Sequence, residues 1–183
     1  MKLPLYVLGF AVSLLLLVTS FRSPDTPEAA AEPSAREAAM APLESVEAYI
    51  AAARDGELLR DPSLYTEASA AMLQERNVTA TQRANAVASY ETCRPDLEGV
   101  YFDADRRRAV IRYRIEARTC HPWFLARGEF DGRWRLDLEA MGRYIRFNRR
   151  NYWHLATPDM PYFFGLKDLA FDANGYPFGG HGW

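Results

Sequence analysis

The chain has 183 residues, of which 49% are hydrophobic and 25% charged, with a formal net charge of −2. Such a balance excludes a collagen-like or wholly disordered chain and fits a globular domain with extensions. Two cysteines, with no Cys-x-x-Cys and no histidine pair at helical spacing, give no metal signature.

Leu3 to Phe21 is uncharged and dominated by Leu, Val and Phe, between Lys2 and Arg22. It is long enough to cross a bilayer, where about 20 apolar residues are typical. Val18-Thr19-Ser20 also offers a small-x-small cleavage site. An uncleaved anchor and a cleaved signal peptide are both open. Either places the remainder outside the cytoplasm, with the domain on the periplasmic side of an inner membrane or released there. Residues 23–42 are rich in Pro, Ala, Glu and Ser and read as a linker, with a short helix around Ala35 to Met40.

Leu43, Val46, Ile50 and Ala53 mark a helix over Leu43 to Asp55 that Gly56 stops. A second helix is expected over Pro62 to Gln74. A third begins at the capping box Thr79-Ala80-Thr81-Gln82 and runs to about Ser89. Short strands follow. Val100 to Phe102 comes first. Arg108 to Ala117 alternates, with Ile111, Tyr113 and Ile115 on an inner face and Arg112, Arg114 and Glu116 toward solvent. Trp123 to Phe130 and Arg133 to Glu139 flank the hairpin signal Asp131-Gly132, with Trp134, Leu136 and Leu138 facing in. Arg143 to Asn148 is the last strand, with Ile145 and Phe147 inward. Residues 43–150 thus make one α+β domain: N-terminal helices packed on a curved antiparallel sheet. The extension 151–183 carries many aromatics and is expected to pack on its own domain or dock on a partner.

Charge is unevenly spread. Ser23 to Leu97 holds 13 acids and 6 bases, whereas Glu98 to Trp153 holds 13 arginines, no lysine and 8 acids. These arginines alternate with apolar residues as a strand face requires, and no nucleic-acid motif accompanies them. In an exported chain the even cysteine count points to a Cys93–Cys120 disulfide joining the end of the third helix to the sheet. No serine elbow and no phosphate-binding glycine loop occurs. The expected inner face holds no acid, because Asp137 and Glu139 point away from it. No catalytic residue, metal or cofactor is therefore assigned. Tyr101, Tyr113, His121 and Trp134 remain as candidate pocket residues.

Three helices followed by a twisted antiparallel sheet, with the hairpin Glu129-Phe130-Asp131-Gly132-Arg133-Trp134, resemble the nuclear transport factor two-like superfamily over residues 42–148. The resemblance implies helices against a concave sheet, a hydrophobic cone and dimerisation through the outer face. Enzymes of that superfamily place Asp or His within the cone, and this sequence has no counterpart there.

The leading expectation is a non-catalytic accessory or scaffold subunit of a membrane or envelope complex. It would bind a protein partner through Arg112, Arg114, Tyr162, Phe163, Phe164 and Trp183. A small-molecule carrier or isomerase-like or dehydratase-like enzyme using the cone is the alternative. A surface-binding inhibitor or immunity protein acting through the arginine face is a third.

Overall fold

Three of the described α-helices begin where a side-chain oxygen accepts from a free backbone amide of the first turn. The computed structural model describes residues 35 to 178. The apolar segment 3–21, most of the 23–42 linker and Trp183 lie outside the described residues. Helix α1 spans Ala35–Asp55, with Pro42 inside it. The helix thus starts well before Leu43 and takes in the last part of the expected linker. Helix α2 spans Glu67–Glu75 and is capped by the Thr66 side chain. The expected helix over Pro62 to Gln74 is broken there, because Pro62–Leu64 forms a separate 3-10 turn and Tyr65 is extended. Helix α3 spans Ala80–Cys93 with the Thr79/Gln82 capping box complete. Among the described residues no helix is long and apolar enough to cross a membrane.

Four antiparallel strands form the main sheet in sequential order: β1 Leu97–Phe102, β2 Arg108–Tyr113, β3 Trp123–Arg127 and β4 Trp134–Leu136. Ala109, Ile111 and Tyr113 share one face with their cross-strand partners Val100, Trp123 and Leu125. Helix α1 packs on this face and brings Val46 and Ile50 into the core. Strand β4 is an edge, and its outward carbonyls are occupied. Ser45 Oγ donates to Trp134 O at 2.9 Å, and Thr66 N donates to Leu136 O at 3.0 Å. An edge satisfied in this way offers no template for a further strand.

The chain departs from the expected strands after Leu136. Asp137 Oδ1 accepts from Ala140 N at 3.1 Å and caps a short helix, α4, over Leu138–Tyr144. Leu138 and Glu139 are therefore helical, since the cap and the helix formers Glu139, Ala140 and Met141 outweigh the alternation. Strand β5, Ile145–Phe147, pairs with β6, Trp153–Leu155, instead of joining the main sheet. Phe147 is 49% exposed. Strand β3 ends at Arg127, and Phe130 stands fully exposed at the tip of the hairpin. Gly132, at φ 66°, makes the left-handed turn that closes it.

Residues beyond 150 belong to the same core. Trp153, Leu155, Met160, Tyr162 and Leu166 are buried. A 3-10 turn at Phe163–Gly165 lies across β1 and β2 on the face opposite the helices. The Tyr162 ring stacks on Phe124 at 4.5 Å. Gly165 is needed because a Cβ there would sit 2.5 Å from Val110 Cβ. A two-stranded piece, β7 Ala170–Phe171 with β8 Pro177–Phe178, completes the described chain. Both faces of β2 are therefore covered, and the reading of Arg112 as a solvent-facing residue is corrected: it is 2% exposed. A one-sided alternation cannot reveal that a distant segment will cover the polar side.

The Cys93–Cys120 disulfide is formed. It joins the end of α3 to the chain that enters β3. Strand β2 stops at Tyr113, four residues short of Ala117, and turns toward this bridge through Ala117 N to Arg114 O and Cys120 N to Ala117 O.

Two stability measurements follow from this packing. Cys93→Ser with Cys120→Ser reopens a loop of 27 residues' separation and is expected to cost about 3 kcal/mol in urea unfolding. Gly165→Ala is expected to cost about 1–3 kcal/mol through its clash with Val110. An unchanged urea midpoint for the glycine variant would show that the C-terminal segment does not hold this contact.

Candidate functional site

The face expected to line a pocket is filled by side chains. Ile111, Tyr113, Trp123, Leu125 and Leu136 are each under 10% exposed and meet Val46, Ile50, Tyr65, Leu73 and Tyr90 from the helical side. Tyr49 sets its ring edge against Trp123 at 5.7 Å. Tyr113 is wedged in this layer, and its hydroxyl accepts from Trp123 Nε1 at 3.0 Å. Burial pushes the Tyr113 hydroxyl up to about 12, so it stays protonated near neutral pH. Trp134 packs against Phe102 with ring centroids 5.5 Å apart. His121 is half-buried between Trp123 and Phe147, at 5.3 and 5.6 Å. Burial lowers its pKa and keeps the ring neutral at pH 7. Tyr101 lies on the other face of the sheet, beside Arg112. The four candidate pocket residues therefore share no cavity.

The candidate partner residues also separate. Arg112 is held inside the protein by a ring of acceptors. Its Nε donates to Glu98 Oε2 at 2.8 Å and its Nη2 to Glu98 Oε1 at 2.5 Å. Its Nη1 donates to Asp168 Oδ1 at 2.6 Å and to the Gly165 carbonyl at 3.1 Å. The Tyr101 hydroxyl accepts from Nη2 at 2.6 Å, and the guanidinium lies 4.2 Å from that ring's centroid. Burial opposes the charge, but hydrogen bonds to Asp168 and Glu98 outweigh it and hold Arg112 above its ordinary value. Tyr162 is 1% exposed and donates to Asp137 Oδ2 at 2.7 Å. Phe163 and Phe164 are half-buried against the core. Arg114 alone of the described set is well exposed, and it pairs with Asp96. These corrections share one cause: the C-terminal segment uses its aromatics, and the acid at 168, to cover the sheet.

A cleft of about 590 Å³ lies elsewhere. Its walls are Arg118, Asn148, Arg149, Arg150 and Asp172, together with Tyr152, Trp153, Tyr176, Pro177 and Phe178. Three local structures build it. In the β5–β6 turn, Asn148 Oδ1 accepts from Arg150 N at 2.8 Å and Tyr152 N at 3.1 Å, and Asn151 takes φ 57°. In the β7–β8 turn, Asp172 Oδ1 accepts from Asn174 N at 2.8 Å and Tyr176 N at 2.9 Å. That turn is fastened to β6, because Leu155 N donates to Gly175 O at 2.9 Å. Arg118 comes from the loop before Cys120, its carbonyl accepting from Trp153 N at 3.2 Å. Its guanidinium lies 5.7 Å from the Tyr152 ring centroid. Among the described residues, no carboxylate lies within 4 Å of the guanidinium nitrogens of Arg118, Arg149 or Arg150. Among the same residues, no group of three or more His, Cys, Asp or Glu is placed to hold a metal ion.

This cleft is not legible in the sequence. Asn148-Arg149-Arg150-Asn151 was a readable turn signal, but the elements that oppose it are remote in sequence. The described residues form an α+β fold with four α-helices and a four-stranded antiparallel sheet. No protein-family model, no curated protein and no solved structure matches the chain.

Arg112 sets a testable pH dependence. Its hydrogen bonds hold the Asp168 carboxyl below the usual carboxylate range. A carboxyl depressed in the folded state stabilises fully above its unfolded pKa, and that contribution is lost as pH falls through the folded value. Asp168→Asn should therefore flatten the fall in stability below about pH 4 relative to the parent chain. Arg112→Met should cost about 3 kcal/mol at pH 7, because Glu98 and Asp168 lose their common cation. Equal acid unfolding profiles for the parent and Asp168→Asn would refute the pairing.

Proposed function

We propose that the chain is a non-catalytic, exported binding module, tethered at a membrane by residues 3–21, that serves as an accessory or scaffold subunit of an envelope complex. The observation that carries this reading is the closed interior. Side chains occupy the space between helices and sheet that a substrate would have to enter. Within the proposal, the likeness to the nuclear transport factor two-like superfamily is a likeness of scaffold, used without an internal acid or histidine. The disulfide supports an oxidising compartment. The protein partner is met on the outside, and Phe130 is the anchor this reading assigns. It is fully exposed at a hairpin tip held by Arg127 Nε to Gly132 O at 2.9 Å and Gly128 N to Arg133 O at 2.8 Å. A solvated aromatic on a hydrogen-bonded hairpin suits a partner's apolar pocket, where such anchors dominate binding energy.

The test is affinity purification of the full chain from solubilised membranes, with mass spectrometry of what accompanies it. A stoichiometric protein partner, reduced at least tenfold in Phe130→Ser while the melting temperature is unchanged, is the expected result. A small molecule recovered from between helices and sheet, with no protein partner, would overturn the reading.

A further inference from the structure

We infer that the cleft lined by Arg118, Arg149 and Arg150 binds a phosphate group carried on an apolar or aromatic body. Arg108, Arg112, Arg114, Arg135 and Arg143, from the same basic region, each reach a carboxylate. The three cleft arginines, like Arg106, Arg107, Arg127, Arg133 and Arg146, do not, and all three are exposed; what sets the three apart is that they line one cleft together. The one acid in the wall, Asp172, is engaged by backbone amides of its own turn. The cleft therefore carries a local excess of positive charge in a chain whose net charge is −2.

Guanidinium groups match phosphate oxygens with forked pairs of donors, and several arginines suit a multiply charged oxyanion better than a single carboxylate. Aromatic side chains line the same cleft. Tyr152, Tyr176 and Phe178 offer ring faces or edges, which suit a planar or hydrocarbon body beside the anion. A volume of about 590 Å³ lies within the usual range of about 300–1,000 Å³ for ligand sites. The walls are also set before any ligand arrives. The Asn148 and Asp172 side chains fix the two turns, and Gly175 is held so tightly that a Cβ would lie 2.2 Å from the Leu155 carbonyl. Preorganised walls of this kind reduce the ordering cost of binding. The groove lined by residues 105–108, residues 126–129 and Gly132 is also rich in arginine, but it includes Asp105 and Glu129 and no aromatic lines it.

The phosphate could belong to a soluble phosphoester or to an anionic lipid headgroup, and the experiment separates these sources. The full chain, in neutral detergent, is titrated calorimetrically with inorganic phosphate, phenyl phosphate and dihexanoyl phosphatidylglycerol below its micellar concentration. Dihexanoyl phosphatidylcholine is the zwitterionic control. Phenyl phosphate is expected to bind more tightly than inorganic phosphate, and more weakly as salt rises. The double variant Arg149→Glu, Arg150→Glu should weaken binding at least tenfold with the melting temperature preserved. Arg114→Glu, outside the cleft, should leave it unchanged. If the double variant does not fold, Arg118→Gln replaces it. Binding of phenyl phosphate without the phosphatidylglycerol upholds the site and assigns a soluble ester. Binding of the phosphatidylglycerol over the phosphatidylcholine upholds it and assigns a headgroup. No binding of any probe at millimolar concentration overturns the inference, as does an affinity that charge reversal in the cleft leaves unchanged.

Discussion

The buried guanidinium of Arg112 is the point at which the two halves of the described chain are joined. It projects from the central part of the sheet toward residues from far along the sequence, the Gly165 carbonyl and the Asp168 carboxylate. A charge taken out of water is costly unless every donor finds an acceptor. Here Glu98 and Tyr101 of β1 supply some of those acceptors, and Gly165 and Asp168 supply the rest only when the C-terminal segment lies against β1 and β2. The same closure places Gly165 on Val110 and Tyr162 on Phe124. Polar satisfaction and apolar packing thus require the same arrangement, which favours one well-defined position for the segment.

Covering both faces of the sheet changes where function can reside. A sheet with one wet face can bind through that face, and a cone-like sheet can bind within its concavity. Neither region is open here, since helices fill one side and the chain's own aromatics fill the other. Among the described residues, two accessible features lie at the periphery, the β3–β4 hairpin tip with Phe130 and the cleft between the β5–β6 and β7–β8 turns. Both are made by tight turns whose backbone is held by side-chain or glycine geometry. Both present groups without a partner in the described chain, a fully exposed phenyl ring at the first and arginines that reach no carboxylate at the second.

The disulfide and the basic cleft meet at the segment between β2 and β3. That segment reaches from Tyr113 to Cys120, carries Arg118, and passes its carbonyl to Trp153 in β6. The covalent link to α3 therefore also steadies one wall of the cleft. Wall groups fixed in advance lose less conformational freedom when a ligand binds.

Much of the framework was legible in the residues. The Thr79 capping box, the Asp131-Gly132 turn, the alternation of β2 and the pairing of Cys93 with Cys120 are local or countable features. Their physics acts within a few residues or through an even number of thiols. The fate of Leu138 and Glu139 was harder to read, because Asp137 supports either an outward strand position or a helix cap, and Met141 and Ala140 settle it by being buried. The role of Arg112, the inward turn of Tyr162 and the cleft around Arg149 and Arg150 could not be read from the pattern. Each depends on contacts between residues widely separated in the chain, and periodicity reports only which side of an element is polar. Whether that polar side meets water, a carboxylate fifty-six residues away or a ligand was decided by tertiary packing.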